Sequence, residues 1–169
     1  MNATNINKVY RKILFLIIVF SYNFVFAQPV LPQRSITLNP TQPLSFGSFC
    51  DSGNGGTISV DWQGIRTTTG DIIALPSSEG MPAIFDIKLC QGRNIIITYP
   101  VTSTLINSTG NALTLDIGPT EKGVSGAVFS TEENCNFITI LRVGATLHIP
   151  PNTILGDYTG SFTVSFNQQ

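Results

Sequence analysis

Nine consecutive residues near the end of the sequence, Tyr158 to Phe166, alternate without a break. Tyr158, Gly160, Phe162, Val164 and Phe166 fall on one side, and Thr159, Ser161, Thr163 and Ser165 on the other. A period of two marks a half-buried strand. It recurs in "GTISVDW", with Ile58, Val60 and Trp62 on one face, and in "MPAIFDIKLC", with Phe85, Ile87 and Leu89. "RNIIITYP", "ALTLDIG" and "FITILRVGATLHIPP" add three more strands, the last with a bend or bulge expected at Gly144. "LSFGSF" reads as a strand holding a glycine, "DSGNGG" as a turn, and "IRTTTG" with "DIIALP" as the return of a hairpin. A short strand is expected at Ala127–Ser130, inside the long irregular stretch 118–135. After residue 27 no segment holds a 3.6-residue period over ten residues. Eight to ten short strands separated by turns predict an all-β protein, a sandwich or a barrel.

The first 27 residues belong to a different regime. Lys8, Arg11 and Lys12 precede the apolar run "ILFLIIVF", and Val25-Phe26-Ala27 has the small-x-small form of a cleavage site. The expectation is a signal peptide over 1–27, cut between Ala27 and Gln28, and hence export to the periplasm, cell surface or medium. A retained anchor would need about 20 mostly apolar residues, and Ser21, Tyr22 and Asn23 interrupt this run. Residues 28–43, "QPVLPQRSITLNPTQP", hold four prolines around Ile36 and Leu38 and read as an extended arm. The β domain then occupies 44–169.

Cleavage leaves 142 residues with six Lys/Arg and ten Asp/Glu, a formal charge of −4. The cations are scattered, which excludes the basic patch that nucleic acid requires. Export also matters for the cysteines, Cys50, Cys90 and Cys135. Cys90 closes one strand and Cys135 opens another, so a Cys90–Cys135 bridge across the long loop is the favoured pairing, worth about 3–4 kcal/mol at best. Two other pairings are possible, and three separate buried thiols are the remaining alternative.

Candidate chemistry is sparse. His148 is the only histidine, out of phase with Leu147 and Ile149, and so expected to face solvent. A triad needs a nucleophile and an orienting group beside it, and no GxSxG elbow is present. Asp51 and Asn54 in "DSGNGG" lack the further oxygen ligands calcium wants, and no Cys/His cluster suggests zinc. No enzyme, metal or cofactor is therefore expected. Lys88 alternates outward, which makes solvation the simple reading over a covalent link to an asparagine such as Asn167. Trp62 and Tyr99 could form a stacking platform for sugar, but the phase of Trp62 with Ile58 and Val60 points to core packing.

Four stretches in order carry a resemblance: "LSFGSF", "GGTISVDWQGIRTTTG", "PAIFDIKL" and "RVGATLHIPPNTILGDYTGSFTVSFNQQ". Together they resemble an uncharacterised family of exported bacterial domains, the domain of unknown function numbered forty-four oh two. Its C-terminal Gly-x-Tyr-x-Gly-x-Phe-x-Val pattern is the most specific part. Where the family has paired glycines before its Thr-x-Leu strand, this chain has Val143 and Gly144. The family is similar, at a distance, to spore-coat protein U and chaperone–usher pilus subunits. The resemblance implies an immunoglobulin-like antiparallel sandwich and a structural, fimbria-like or adhesive role, with no catalytic residues to carry over. A pilin-type bridge does not transfer, because Cys50 follows the Phe-Gly strand instead of preceding it. Two functions are expected to compete: assembly by strand pairing, through self-association or a protein partner, and a monomeric module that binds a glycan or protein. In the first, Ile36 and Leu38 anchor an arm that pairs within its own chain or with a neighbour, and the arm covers the free edge of the final strand.

Overall fold

The computed structural model describes residues 12, 36–89, 94–132, 134 and 137–168. The chain divides into two units, Met1–Arg34 and Ser35–Gln169, and the second is the β domain. The expected signal cleavage between Ala27 and Gln28 and the expected bridge between Cys90 and Cys135 lie outside the described residues.

Among the described residues ten strands follow in order: β1 (Thr37–Gln42), β2 (Phe49–Val60), β3 (Arg66–Ala74), β4 (Ala83–Lys88), β5 (Asn94–Thr98), β6 (Thr102–Ile106), β7 (Ala112–Thr120), β8 (Val128–Ser130), β9 (Thr139–Ile149) and β10 (Ser165–Gln168). Every pairing is antiparallel. Seven strands form one sheet, and β10, β5 and β8, in that order, form a second. The two enclose one core, so the protein is an all-β antiparallel sandwich. Alternation decides the faces. In β9, Leu141, Val143, Ala145, Leu147 and Ile149 are buried, while Arg142, Thr146 and His148 are partly exposed between them. Ile58, Ile87, Ile95, Ile97, Leu141 and Val143 are fully inaccessible, each contributing about 1.5–3 kcal/mol by leaving water.

β9 is the hub. Val143 opposes both Ala83 and Thr120, and Ala145 to His148 oppose both β2 and β7. A strand has two edges, so β4 and β2 must follow one another along one edge while β7 runs along the other. The handover falls at Gly144, where an added Cβ would stand 2.6 Å from the Val60 carbonyl oxygen. The small residue at the bend predicted from sequence lets the end of β2 pass close by.

Several elements differ from expectation. "DSGNGG" is no turn; it is an irregular middle of β2, whose register with β3 shifts between Asp51 and Gly56. Gly53, Gly55 and Gly56 take positive φ there, and the Asp51 carboxylate accepts the Gly53 and Gly55 N–H groups. Trp62 stands half-buried in the turn after β2, outside the core cluster, because the strand ends at Val60. β6 had no counterpart in the sequence reading, since "VTSTLI" has too few apolar residues to announce itself. The nine-residue alternation does turn Tyr158, Phe162, Val164 and Phe166 onto the core. Yet only Ser165–Gln168 is laddered, to β5, after a single bridge between Thr159 and Ile106. Among the described residues, the arm does not cover that strand. β1 pairs with β4 on the other sheet, Leu38 opposite Ile87. Strand β4 had its own edge to fill, and its length and register accept the arm.

Candidate functional site

A cleft in the domain follows from how the second layer is built. Over one half of the large sheet, β10, β5 and β8 close the core. Over the other half, two irregular segments do so, residues 43–49 and 153–162, and a half-open cleft of about 1290 Å³ lies between them and the large sheet. Its floor is two pairs of inward side chains, Leu113 and Leu115 on β7 and Leu147 and Ile149 on β9. Each pair is two residues apart on its strand, so the four sit on one pleated surface. Phe46, Phe49 and Phe85 stand on one side and Tyr158 and Phe162 on the other.

Both walls are fixed by local chemistry. Gly47 takes φ +68, with its added Cβ within 2.9 Å of the Glu79 carbonyl oxygen, so the Phe46–Ser48 bend needs glycine. The Arg66 guanidinium donates to the Phe46 and Leu75 carbonyls and pins that bend. Across the cleft, the Tyr158 hydroxyl donates to the Ile154 carbonyl at 2.8 Å and folds the 153–158 loop on itself. This loop leaves Leu155 87% exposed and Ile154 54% exposed at the rim. Next, Gly160 lies so close to β6 that a Cβ would meet the Thr104 carbonyl oxygen at 2.5 Å. Residues 160–164 then carry no ladder pairing before β10 begins, although Ser103 Oγ on β6 donates to the Ser161 carbonyl at 2.9 Å. The lining holds two carboxylates, Asp51 and Asp157, and no Lys or Arg.

The arm contacts the domain lightly. Five of the six β1 residues are exposed, Leu38 among them, and Ile36 packs partly against the core. Its hold is mostly backbone pairing, helped by bonds from Thr41 Oγ1 and Gln42 Nε2 to the Ile84 and Pro82 carbonyls. The cleft escaped the sequence reading. Its floor residues look like any core strand, and only Leu155 and Ile154, apolar between prolines and Gly156, hinted that this loop carries unpartnered surface.

The other singled-out residues separate in space. His148 faces outward as expected and pairs with Asp116, Nε2 to Oδ2 2.7 Å, across the β7–β9 ladder. Tyr99 is 7% exposed in the core, its hydroxyl donating to the Gly123 carbonyl at 3.4 Å. Burial pushes the Tyr99 hydroxyl above its ordinary pKa, opposed in part by a backbone hydrogen bond from Ser125. Trp62 and Tyr99 therefore form no common platform. Lys88 and Asn167 are both exposed, as is the thiol of Cys50, 3.7 Å from the Ile73 carbonyl oxygen. Among the described residues no group of three or more His, Cys, Asp or Glu side chains is placed to hold a metal ion, and no helix is long and apolar enough to cross a membrane.

An antiparallel sandwich with an apolar cleft in one layer defines a class of β domain, and its family follows from comparison. The family model for a domain of unknown function, DUF4402, matches residues 36–167, and the chain belongs to that family. No curated protein and no solved structure matches the chain.

Proposed function

We propose that this domain is an exported structural or adhesive module that assembles by strand pairing, the cleft of one copy receiving the arm of another. The observation that carries this reading is the incomplete second layer. A strand laid between residues 43–49 and 158–162 would lie along the cleft against the partly buried Phe49, Phe85, Tyr158 and Phe162, above the already buried Leu113, Leu115, Leu147 and Ile149, and meet the stretch 160–164, which carries no ladder. Main-chain bonds give such an insertion affinity, and alternate side chains in pockets give it specificity. The arm suits the role. Ile36 and Leu38 share one face of an extended chain and match the floor in spacing. Between residues 28 and 43 the only charged residue is Arg34, and the cleft lining carries only the acids Asp51 and Asp157. The distant similarity to pilus subunits points the same way.

On this reading the β1–β4 pairing is the resting place of an arm that has not been donated. Five exposed side chains in β1 make release cheap, since little apolar surface returns to water. The proposal assigns no catalysis, cofactor, nucleic acid or membrane span to the mature domain.

Light scattering on the purified chain from residue 28, against one lacking residues 28–40, tests it. The longer chain should form multimers that grow with concentration, and the truncated chain should stay monomeric. Monomers in both cases, or multimers in both, would remove the arm from assembly.

A further inference from the structure

The side of the large sheet turned away from the core carries an ordered array that assembly through the cleft does not use. Reading across five neighbouring strands, β3, β2, β9, β7 and β6, the registers align Thr69, Thr57, His148, Thr114 and Thr104 in one row. Two residues along each strand, they align Thr67, Ser59, Thr146, Asp116 and Thr102 in a second. All ten are exposed or partly exposed, while the residues between them on the three central strands, Ile58, Leu147 and Leu115, are buried. Seven of the ten are threonine. The two ionisable members are the bonded pair His148 and Asp116, and neither lysine nor arginine enters the array.

Adjacent strands lie about 4.8 Å apart and alternate residues about 6.7 Å apart. Each row is thus a line of five polar groups roughly 19 Å long. Hydroxyls within it already bond to one another, Thr57 Oγ1 to Thr69 Oγ1 at 2.7 Å and Ser59 Oγ to Thr67 Oγ1 at 3.0 Å. Each hydroxyl both donates and accepts, so it can turn to suit a partner of the same kind. Beside each threonine hydroxyl stands its methyl group. A ligand matching this surface alternates hydroxyl edges with C–H faces and carries no charge.

We propose that this face binds a neutral polysaccharide chain lying along the rows, across the strands. Neighbouring strands rotate by roughly 20–25°, so five of them curve the rows out of any single plane. A flexible polymer can follow that curve, and a flat crystalline surface cannot. The proposal is independent of the arm and cleft.

Native electrophoresis through gels containing hydroxyethyl cellulose or dextran tests it, with carboxymethyl cellulose and heparin as charged counterparts. At least one neutral polymer should retard the protein, to the same extent in low and high salt. Thr114→Val with Thr146→Val keeps shape and strand preference but removes two central hydroxyls, and should weaken retardation about tenfold. Thr98→Val, exposed on β5 and outside both the array and the cleft, should leave it unchanged. If circular dichroism shows the double variant unfolded, Thr102→Val with Thr104→Val on the outer strand β6 serves in its place, with a smaller loss in the same direction. No retardation by either neutral polymer, equal retardation of a folded array variant, or retention only by the charged polymers with loss in salt would overturn the proposal.

Discussion

The two halves of the covering layer share a recipe and differ in outcome. Beneath β5, Ile95 and Ile97 are inaccessible, and the ladder runs from β10 through β5 to β8. Beneath residues 43–49 and 153–162 the inward Leu113, Leu115, Leu147 and Ile149 are buried as well, at 2–3% exposure, but the layer above them holds a cleft in place of a ladder. Inward alternation was present in both, in "NIIIT" and in "YTGSF". The difference is the backbone. β5 finds partners on both edges, whereas the segment through Gly160 makes one backbone bridge to β6, from Thr159, and takes one side-chain bond, from Ser103 to the Ser161 carbonyl, before a ladder resumes at Ser165. Apolar periodicity places side chains, but a layer closes only where main chains also pair.

The strongest way to break this contrast is to attack the closed half. Ile97→Ala should cost about 2–5 kcal/mol in urea unfolding, because it empties a fully packed site. Leu155→Ser at the open rim should stay within about 0.5 kcal/mol. Equal losses at the two would mean the halves are equally closed. A second variant sharpens the point at the seam. Gly160→Val pushes a side chain into the Thr104 carbonyl and should cost about 1–3 kcal/mol, with faster amide exchange at Ile106 and Thr159 as the bridge opens. An unperturbed bridge would show that the close approach there does not organise the wall.

The smallest effect is visible only in alkali. The Tyr99 hydroxyl has a folded pKa above its unfolded value, so the folded state holds the proton more tightly. Its contribution to stability is complete below about pH 10 and is lost as pH rises past that value toward the folded pKa. Tyr99→Phe removes that dependence. Unfolding curves from pH 8 to 11 should therefore converge, the wild type losing more stability than the variant. Parallel curves would refute the assignment.

Legibility followed the physics of each feature. The strands β2, β4, β5, β7 and β9 were readable because their apolar period exceeds four residues and their buried faces are continuous. β6 was not, since Ser103 and the threonines around it give no apolar face. The Asp51–Gly56 stretch imitated a turn by composition, yet the pairing of β3 on both sides of it keeps it within a strand. Trp62 kept its phase with Val60 on paper, and the turn at Trp62–Gln63 broke it in space. Of the cleft, only the two apolar residues of its rim stood out locally. Of the polar array, each Thr-x-polar tripeptide was visible, but not that five of them line up.

The amino-acid order alone settled that this chain is a β protein with a greasy inside and a hydroxyl-rich outside, since period two requires no knowledge of partners. Which strand lies beside which, where the arm rests, and where the second layer stays open were settled only in three dimensions. Register and neighbour choice depend on contacts between residues far apart in sequence, such as Leu38 with Ile87 and Phe166 with Ile97, and local patterning carries no information about them.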